Sequence, residues 1–205
     1  MDSEVLAEVR QLFAPEEGAL AAARTRAPDH LAVPTPEVGA LLRWAAITCR
    51  AGSAVEVGSG GGISGLWIVP ALSARGVLTS IEADPHAHSL ATTAYAEADL
   101  AGRIRAILSD PTDVLPRLSD GAYDLVVLQG APAGFHGALE HARRLLRPGG
   151  MLIARGVLRH GHHADALARF LDALAADEAL TSSILPLDGG LVLATRGEDA
   201  TGDGG

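Results

Sequence analysis

Between residues 3 and 13 the apolar positions are Val5, Leu6, Val9, Leu12 and Phe13, a spacing that lines one face of a helix. A second, alanine-rich helix is expected after Pro15. Thr35 ahead of Pro36 reads as an N-cap with proline in the first turn, and Leu41, Leu42, Ala45 and Ile47 carry that helix until Gly52 stops it. Past Gly52 the period changes. Short β-branched or apolar runs at 54–57, 77–81, 104–108, 125–128 and 151–154 alternate with helical stretches that end near Ser73, Leu100 and Leu146 and resume near Ala164. Alternation of this kind predicts an α/β fold, a doubly wound, mostly parallel sheet with helices on both faces. The end of the chain departs from it: residues 183–187 and 191–195 flank Asp188-Gly-Gly190, the pattern of an antiparallel hairpin closing one sheet edge. The expected organisation is one domain, with N-terminal helices over 1–52, a core over 53–196 and a tail over 197–205 that lacks any apolar anchor and is expected to be disordered.

Composition sharpens this outline by exclusion. With 48% hydrophobic but only 3% aromatic residues, the core must be built from Ala, Leu, Val and Ile. Against 25 acidic residues stand 16 basic ones, net −9, with no dense basic cluster, so nucleic acid is excluded as a partner. One cysteine, Cys49, excludes an internal disulfide and a Cys-rich zinc site and points to a reducing compartment. An acidic amphipathic start and no run long enough to span a bilayer complete the expectation of a cytoplasmic protein without membrane contact. The chain contains no Lys and no Asn. That removes a phosphate-loop lysine, a Schiff-base lysine, a Tyr-x-x-x-Lys pair and an Asn metal ligand.

The strongest motif is Glu56-Val-Gly58-Ser59-Gly60-Gly-Gly62-Ile-Ser64, a buried strand running through glycines into an apolar helix. Glycines let the backbone pass close to a ligand, and the helix that follows offers unpaired N–H groups. At the end of the next strand stands Glu82, whose carboxylate can accept both hydroxyls of a ribose. Together these point to a nucleoside-containing ligand. Gly60-x-Gly62-x-x-Gly65 also satisfies a dinucleotide fingerprint, so a nicotinamide-dependent oxidoreductase stays open at this point. Glycines that start immediately after the strand, Glu56 two positions before them, and a terminal hairpin in place of a second nucleotide-binding half favour S-adenosylmethionine.

In these motifs the chain resembles the class I O-methyltransferases of the catechol and caffeoyl-CoA type, with a Rossmann-like sheet, over about Val33 to Arg196. The segment Thr35-Pro-Glu-Val-Gly-Ala-Leu-Leu42, the glycine loop, Glu82, the run Ser109-Asp-Pro-Thr-Asp-Val-Leu-Pro116, Tyr123-Asp-Leu-Val-Val-Leu128 and Arg144-Leu-Leu-Arg-Pro-Gly-Gly150 carry the resemblance. It implies S-adenosylmethionine as cofactor. Glu56 and Ser64 would face its methionine end, Glu82 the ribose and Asp110 the adenine, with Thr35, Gly58, Ser59, Gly60, Ala83 and Gln129 completing the cofactor site. A homodimer is implied as well.

The catalytic half departs from the family. Where its members carry an Asp-x-Asp-Lys-like run, with an Asp that binds Mg²⁺ and a Lys that assists deprotonation, this chain has Gln129-Gly-Ala-Pro132. Where they carry Asp-Asn, it has Arg155-Gly156. A neutral amide and a fixed cation do not suit a hard ion held by oxygens, so no metal is expected. Pro111 removes a backbone donor from the adenine loop. Arg155-Gly156 precedes Arg159-His160-Gly-His162-His163, readable as a solvated loop, a metal site or an acid/base group, with His160 the favoured base. For Arg155 a salt bridge and an anion anchor are equally open. The expected function is metal-independent O-methyl transfer to a small molecule, with His160, Arg155 and Gln129 as candidate catalytic residues. The competing reading is a non-catalytic cofactor-binding protein.

Overall fold

The computed structural model describes residues 3–130, 135–158 and 164–198. Among them the chain forms helices α1 (Ser3–Phe13), α2 (Gly18–Arg26) and α3 (Pro36–Thr48), then strand β1 (Ser53–Val57), α4 (Ile63–Ile68), β2 (Val77–Glu82), α5 (Pro85–Glu97) and β3 (Ile104–Leu108). They are followed by α6 (Pro111–Val114), β4 (Tyr123–Leu128), α7 (Phe135–Leu145), β5 (Leu146–Arg155), α8 (Ala164–Ala175), β6 (Leu180–Leu185) and β7 (Leu191–Arg196). The strands make one seven-stranded sheet in the order β3-β2-β1-β4-β5-β7-β6. β1 to β5 pair in parallel and β7 runs antiparallel to both its neighbours. The doubly wound sheet with a terminal hairpin is therefore the observed fold.

The central parallel strands β1, β4 and β5 are largely buried on both faces and read as near-continuous apolar runs for that reason, whereas β3 at the sheet edge is partly exposed. Along β4, Val126 and Leu128 join a cluster with Phe135, Leu139 and Phe170 of α7 and α8, whereas Leu125 and Val127 turn to Val38, Leu42 and Ala45 of α3. Phe135 and Phe170 meet with ring centroids 5.6 Å apart and planes tilted by 59°, tying α7 to α8. A third cluster packs α2, α4 and α5 around Trp67 and Tyr95.

Several boundaries differ from the sequence expectation, each for a local reason. α3 does not run to Gly52: Arg50 takes the left-handed conformation (φ 52°) and the Ala51 amide turns back to the Ala46 carbonyl at 2.8 Å, closing the helix earlier. The helix after the glycine loop is cut short by Pro70, which starts a 3-10 turn over Val69–Ala71. β5 begins at Leu146, ahead of the expected Met151, because a register shift against β4 lets the Arg147-Pro-Gly-Gly150 stretch stay in the strand. β6 begins at Leu180, and the hairpin loop spans 186–190. Of the expected tail, residues 199–205 lie outside the described residues, as do His160, His162 and His163.

Candidate active site

Strand order reverses direction between β1 and β4, and at the carboxyl ends of these strands a crevice opens, as such sheets require. A cavity of about 460 Å³ fills it. Its floor is Val57, Gly58 and Gly60 beyond β1, its ribose-side wall Ile81, Glu82 and Ala83 beyond β2, and its far end Asp110, Pro111, Thr112 and Leu115. Gln129 and Gly130 follow β4 into it, and Phe135, Ala138 and His141 of α7 close the opposite wall.

Gly58 shows why the motif needs glycine. Its φ is +86°, and a Cβ there would sit 2.4 Å from the carbonyl oxygen of Gln129, so no side chain fits between the two loops. Ser59 turns away from the cavity: its amide and its hydroxyl both donate to Glu82 Oε2, each at 2.8 Å. The other carboxylate oxygen accepts the Asp84 amide at 3.1 Å. Glu82 is thus held in place by the glycine loop on one side and its own turn on the other, with an edge on the cavity.

Behind the loop lies a buried polar cluster. Glu56 is fully buried; Ser64 Oγ donates to its Oε2 at 2.6 Å, and Ser80 Oγ and the Tyr95 hydroxyl donate to Oε1 at 2.6 and 3.1 Å. Burial pushes the Glu56 carboxyl up to about 7, against these three hydroxyls, which favour the anion. Gln129 joins the cluster to the cavity. Its Nε2 donates to Ser64 Oγ at 2.6 Å and to the Gly58 carbonyl at 2.7 Å, while its Oε1 is buried without a hydrogen-bond partner among the described residues. An orphaned buried acceptor costs free energy unless something donates to it.

Of the residues expected at the cofactor, Gly58, Gly60, Glu82, Ala83, Asp110 and Gln129 line the cavity. Glu56, Ser59 and Ser64 stand one layer behind it. Thr35 is the N-cap of α3, its Oγ1 accepting from the Val38 amide, and does not reach the cavity wall. Asp110 caps α6: the amide and hydroxyl of Thr112 both donate to its Oδ1, which keeps the exposed carboxyl below its usual range. Of the two readings open for Arg155, a salt bridge and an anion anchor, the described residues show the salt bridge, to Asp188. Arg155 is buried at the end of β5, outside the cavity wall, and its terminal nitrogens donate to Asp188 Oδ2 at 2.5 Å, the Val33 carbonyl at 2.9 Å and the Ala32 carbonyl at 2.6 Å.

Sequence reasoning missed Ser80 and Tyr95, although a serine within the apolar β2 run was a visible signal. It also missed Leu31, Ala32 and the α7 wall. His141 is one of these: Arg144 Nε donates to its Nδ1 at 3.2 Å, which leaves Nε2 to carry the ring proton, and burial together with the Arg144 charge lowers its pKa.

A methyltransferase domain model matches residues 55–154, from β1 to the end of β5. A protein of Mycobacteroides abscessus assigned to the O-methyltransferases is 41% identical over 192 residues, covering 88% of this chain and 89% of its own length. The chain belongs to the O-methyltransferases. Among solved structures, a Corynebacterium glutamicum protein superposes with a TM-score of 0.87 at 27% identity, covering 97% of this chain and 98% of its own. The O-methyltransferase TomG of Streptomyces achromogenes, involved in tomaymycin synthesis and solved with S-adenosylmethionine, superposes with a TM-score of 0.86 at 25% identity, covering 95% of this chain and 96% of its own. Membership sets aside the nicotinamide reading that the glycine spacing had left open. No described helix of this methyltransferase is long and apolar enough to cross a membrane.

Proposed function

We propose that the methyltransferase binds S-adenosylmethionine in the crevice at the ends of β1, β2 and β4 and moves its methyl group to an oxygen of a small molecule without a divalent cation. The observation that carries the reading is Gln129 Oε1, a buried acceptor with no donor among the described residues, set in the wall of a cavity whose next strand end presents Glu82. An amino-acid ammonium would satisfy the first and ribose hydroxyls the second. When bound, S-adenosylmethionine supplies an electrophilic methyl on a cationic sulfur. Glu82 would accept from the ribose, Gln129 would orient the methionine end, and Asp110, kept ionised by Thr112, would accept from the base. Pro111 offers no N–H at that end, and His141 Nε2–H would offer a donor from the α7 wall. The apolar walls from Val57, Ile81, Leu115 and Phe135 exclude water, and in-line placement in such a pocket supplies much of the acceleration of methyl transfer.

The family's divalent cation does not suit the donors present. The position after β4 is an amide already donating to Ser64 and Gly58, and that at the end of β5 is a guanidinium. No group of three or more His, Cys, Asp and Glu side chains gathers among the described residues. A cytoplasmic setting suits the single buried Cys49. A homodimer through α1 suits the exposure of Val5, Val9, Leu12 and Phe13 on that helix. A screen of phenolic, carboxylic and alcohol acceptors with S-adenosylmethionine, run in EDTA and again in Mg²⁺, tests the reading: equal turnover in both supports it, and turnover confined to Mg²⁺ contradicts it.

A further inference from the structure

The segment 31–34, between α2 and α3, has no regular secondary structure, yet it forms one side of the cavity through Leu31 and Ala32. It lies directly on the glycine loop. A Cβ at Gly60 would stand 3.4 Å from the Ala32 carbonyl oxygen and 3.6 Å from Pro34 Cδ, and one at Gly61 would stand 3.1 Å from Leu31 Cδ2. Its own backbone bonds are few: the Leu31 amide reaches Pro28 and the Val33 amide reaches Leu31.

Two arginines supply what the backbone does not. Arg155 donates to the Ala32 and Val33 carbonyls, and Arg24 of α2 donates to the Pro34 carbonyl at 2.8 Å, so guanidinium groups take three consecutive carbonyls. Arg24 is itself paired with Glu16, which also accepts from Trp67 Nε1. Arg155 is paired with Asp188 in the β6–β7 loop, and both side chains are largely buried, 4% and 12% exposed. That loop is fastened to the end of β5: Gly190 accepts from the Gly156 and Val157 amides and Gly189 from the Leu158 amide. Asp188 therefore sits on a rigid mount, and the planar fork of Arg155 reaches from it to the cover in a way a lysine could not.

We infer that Arg155, fixed by Asp188, is a positioning residue that holds segment 31–34 as a closed cover on the glycine loop and thereby slows escape of the nucleoside cofactor. The guanidinium stands at the end of β5, where the family resemblance places metal ligands, and acts there on the protein's own backbone. The inference rests on the cofactor reading above for its ligand, but the latch itself is a property of the free protein.

Two readouts separate them. In the free protein, hydrogen exchange at the amides of Leu31 to Val33 should quicken about tenfold in Arg155→Met and in Asp188→Asn, a loss of the order of one charge-assisted hydrogen bond. In stopped-flow displacement, S-adenosylhomocysteine should leave both variants about tenfold faster than the parent, with Arg155→Lys in between. Should Arg155→Met fail to fold, Asp188→Asn keeps the test open, because the amide preserves shape and removes only the charge. Unchanged exchange and unchanged dissociation in Asp188→Asn would overturn the latch. A fall in turnover with both readouts unchanged would overturn it too and assign Arg155 to acceptor chemistry. If the parent protein binds no S-adenosylhomocysteine, the cofactor reading fails, and the exchange result still decides whether the latch exists.

Discussion

Glu82 carries two duties in one carboxylate, anchoring Ser59 and presenting an edge to the cavity. Glu82→Gln keeps the shape and removes the charge, so S-adenosylhomocysteine should bind more weakly by roughly 1.5 to 3 kcal/mol, about tenfold or more, by calorimetry. Glu56 makes a different prediction, about stability. Its pKa is raised by burial from 4.5 to about 7, so between these values the folded protein holds a proton that the unfolded chain releases. The contribution is then fully present below about pH 4.5 and is lost as pH rises through 7, a change of roughly 3 kcal/mol at most. Urea unfolding at pH 5 and pH 7.5 should show the parent losing more stability across this range than Glu56→Gln; parallel losses would contradict the shifted carboxyl.

At the level of elements, the joint between β1 and its loop is the most constrained. Gly58→Ala must place a side chain at positive φ against the Gln129 carbonyl, which should cost about 1 to 3 kcal/mol and displace Gln129. A lowered melting temperature together with weakened cofactor binding is the expected result, and a variant that binds like the parent would contradict the tight joint. This joint was legible in the sequence because glycines following an apolar strand have few other uses. Short apolar runs gave away the parallel strands equally well, since the central ones, β1, β4 and β5, are largely buried on both faces. The helix ends were less legible: Arg50, not Gly52, turned the chain out of α3, and Pro70 shortened α4, because the chain offers several local stops close together and the pattern of apolar positions does not rank them. The cover over residues 31–34 left no periodic signal at all. It is held by Arg24, Arg155 and Asp188, residues far apart in the sequence, whose meeting depends on the completed sheet.

The whole molecule is an open sheet with a crevice at its topological switch and a helix, α1, whose Leu12 and Phe13 are 64% and 74% exposed. If that face joins two copies, light scattering should give twice the chain mass at micromolar concentration and a shift to monomer in the double variant Leu12→Glu, Phe13→Glu. A parent protein that is monomeric would contradict the dimer without touching the site. The central claim concerns the crevice itself, that it binds the nucleoside cofactor through Gln129 and Glu82 with no help from a metal. Calorimetric titration of the EDTA-treated protein with S-adenosylhomocysteine, repeated after adding Mg²⁺, tests it most directly. The account predicts one site per chain, the same affinity in both titrations and a weaker one in Glu82→Gln; no binding in EDTA, or an affinity that Glu82→Gln leaves unchanged, would contradict it.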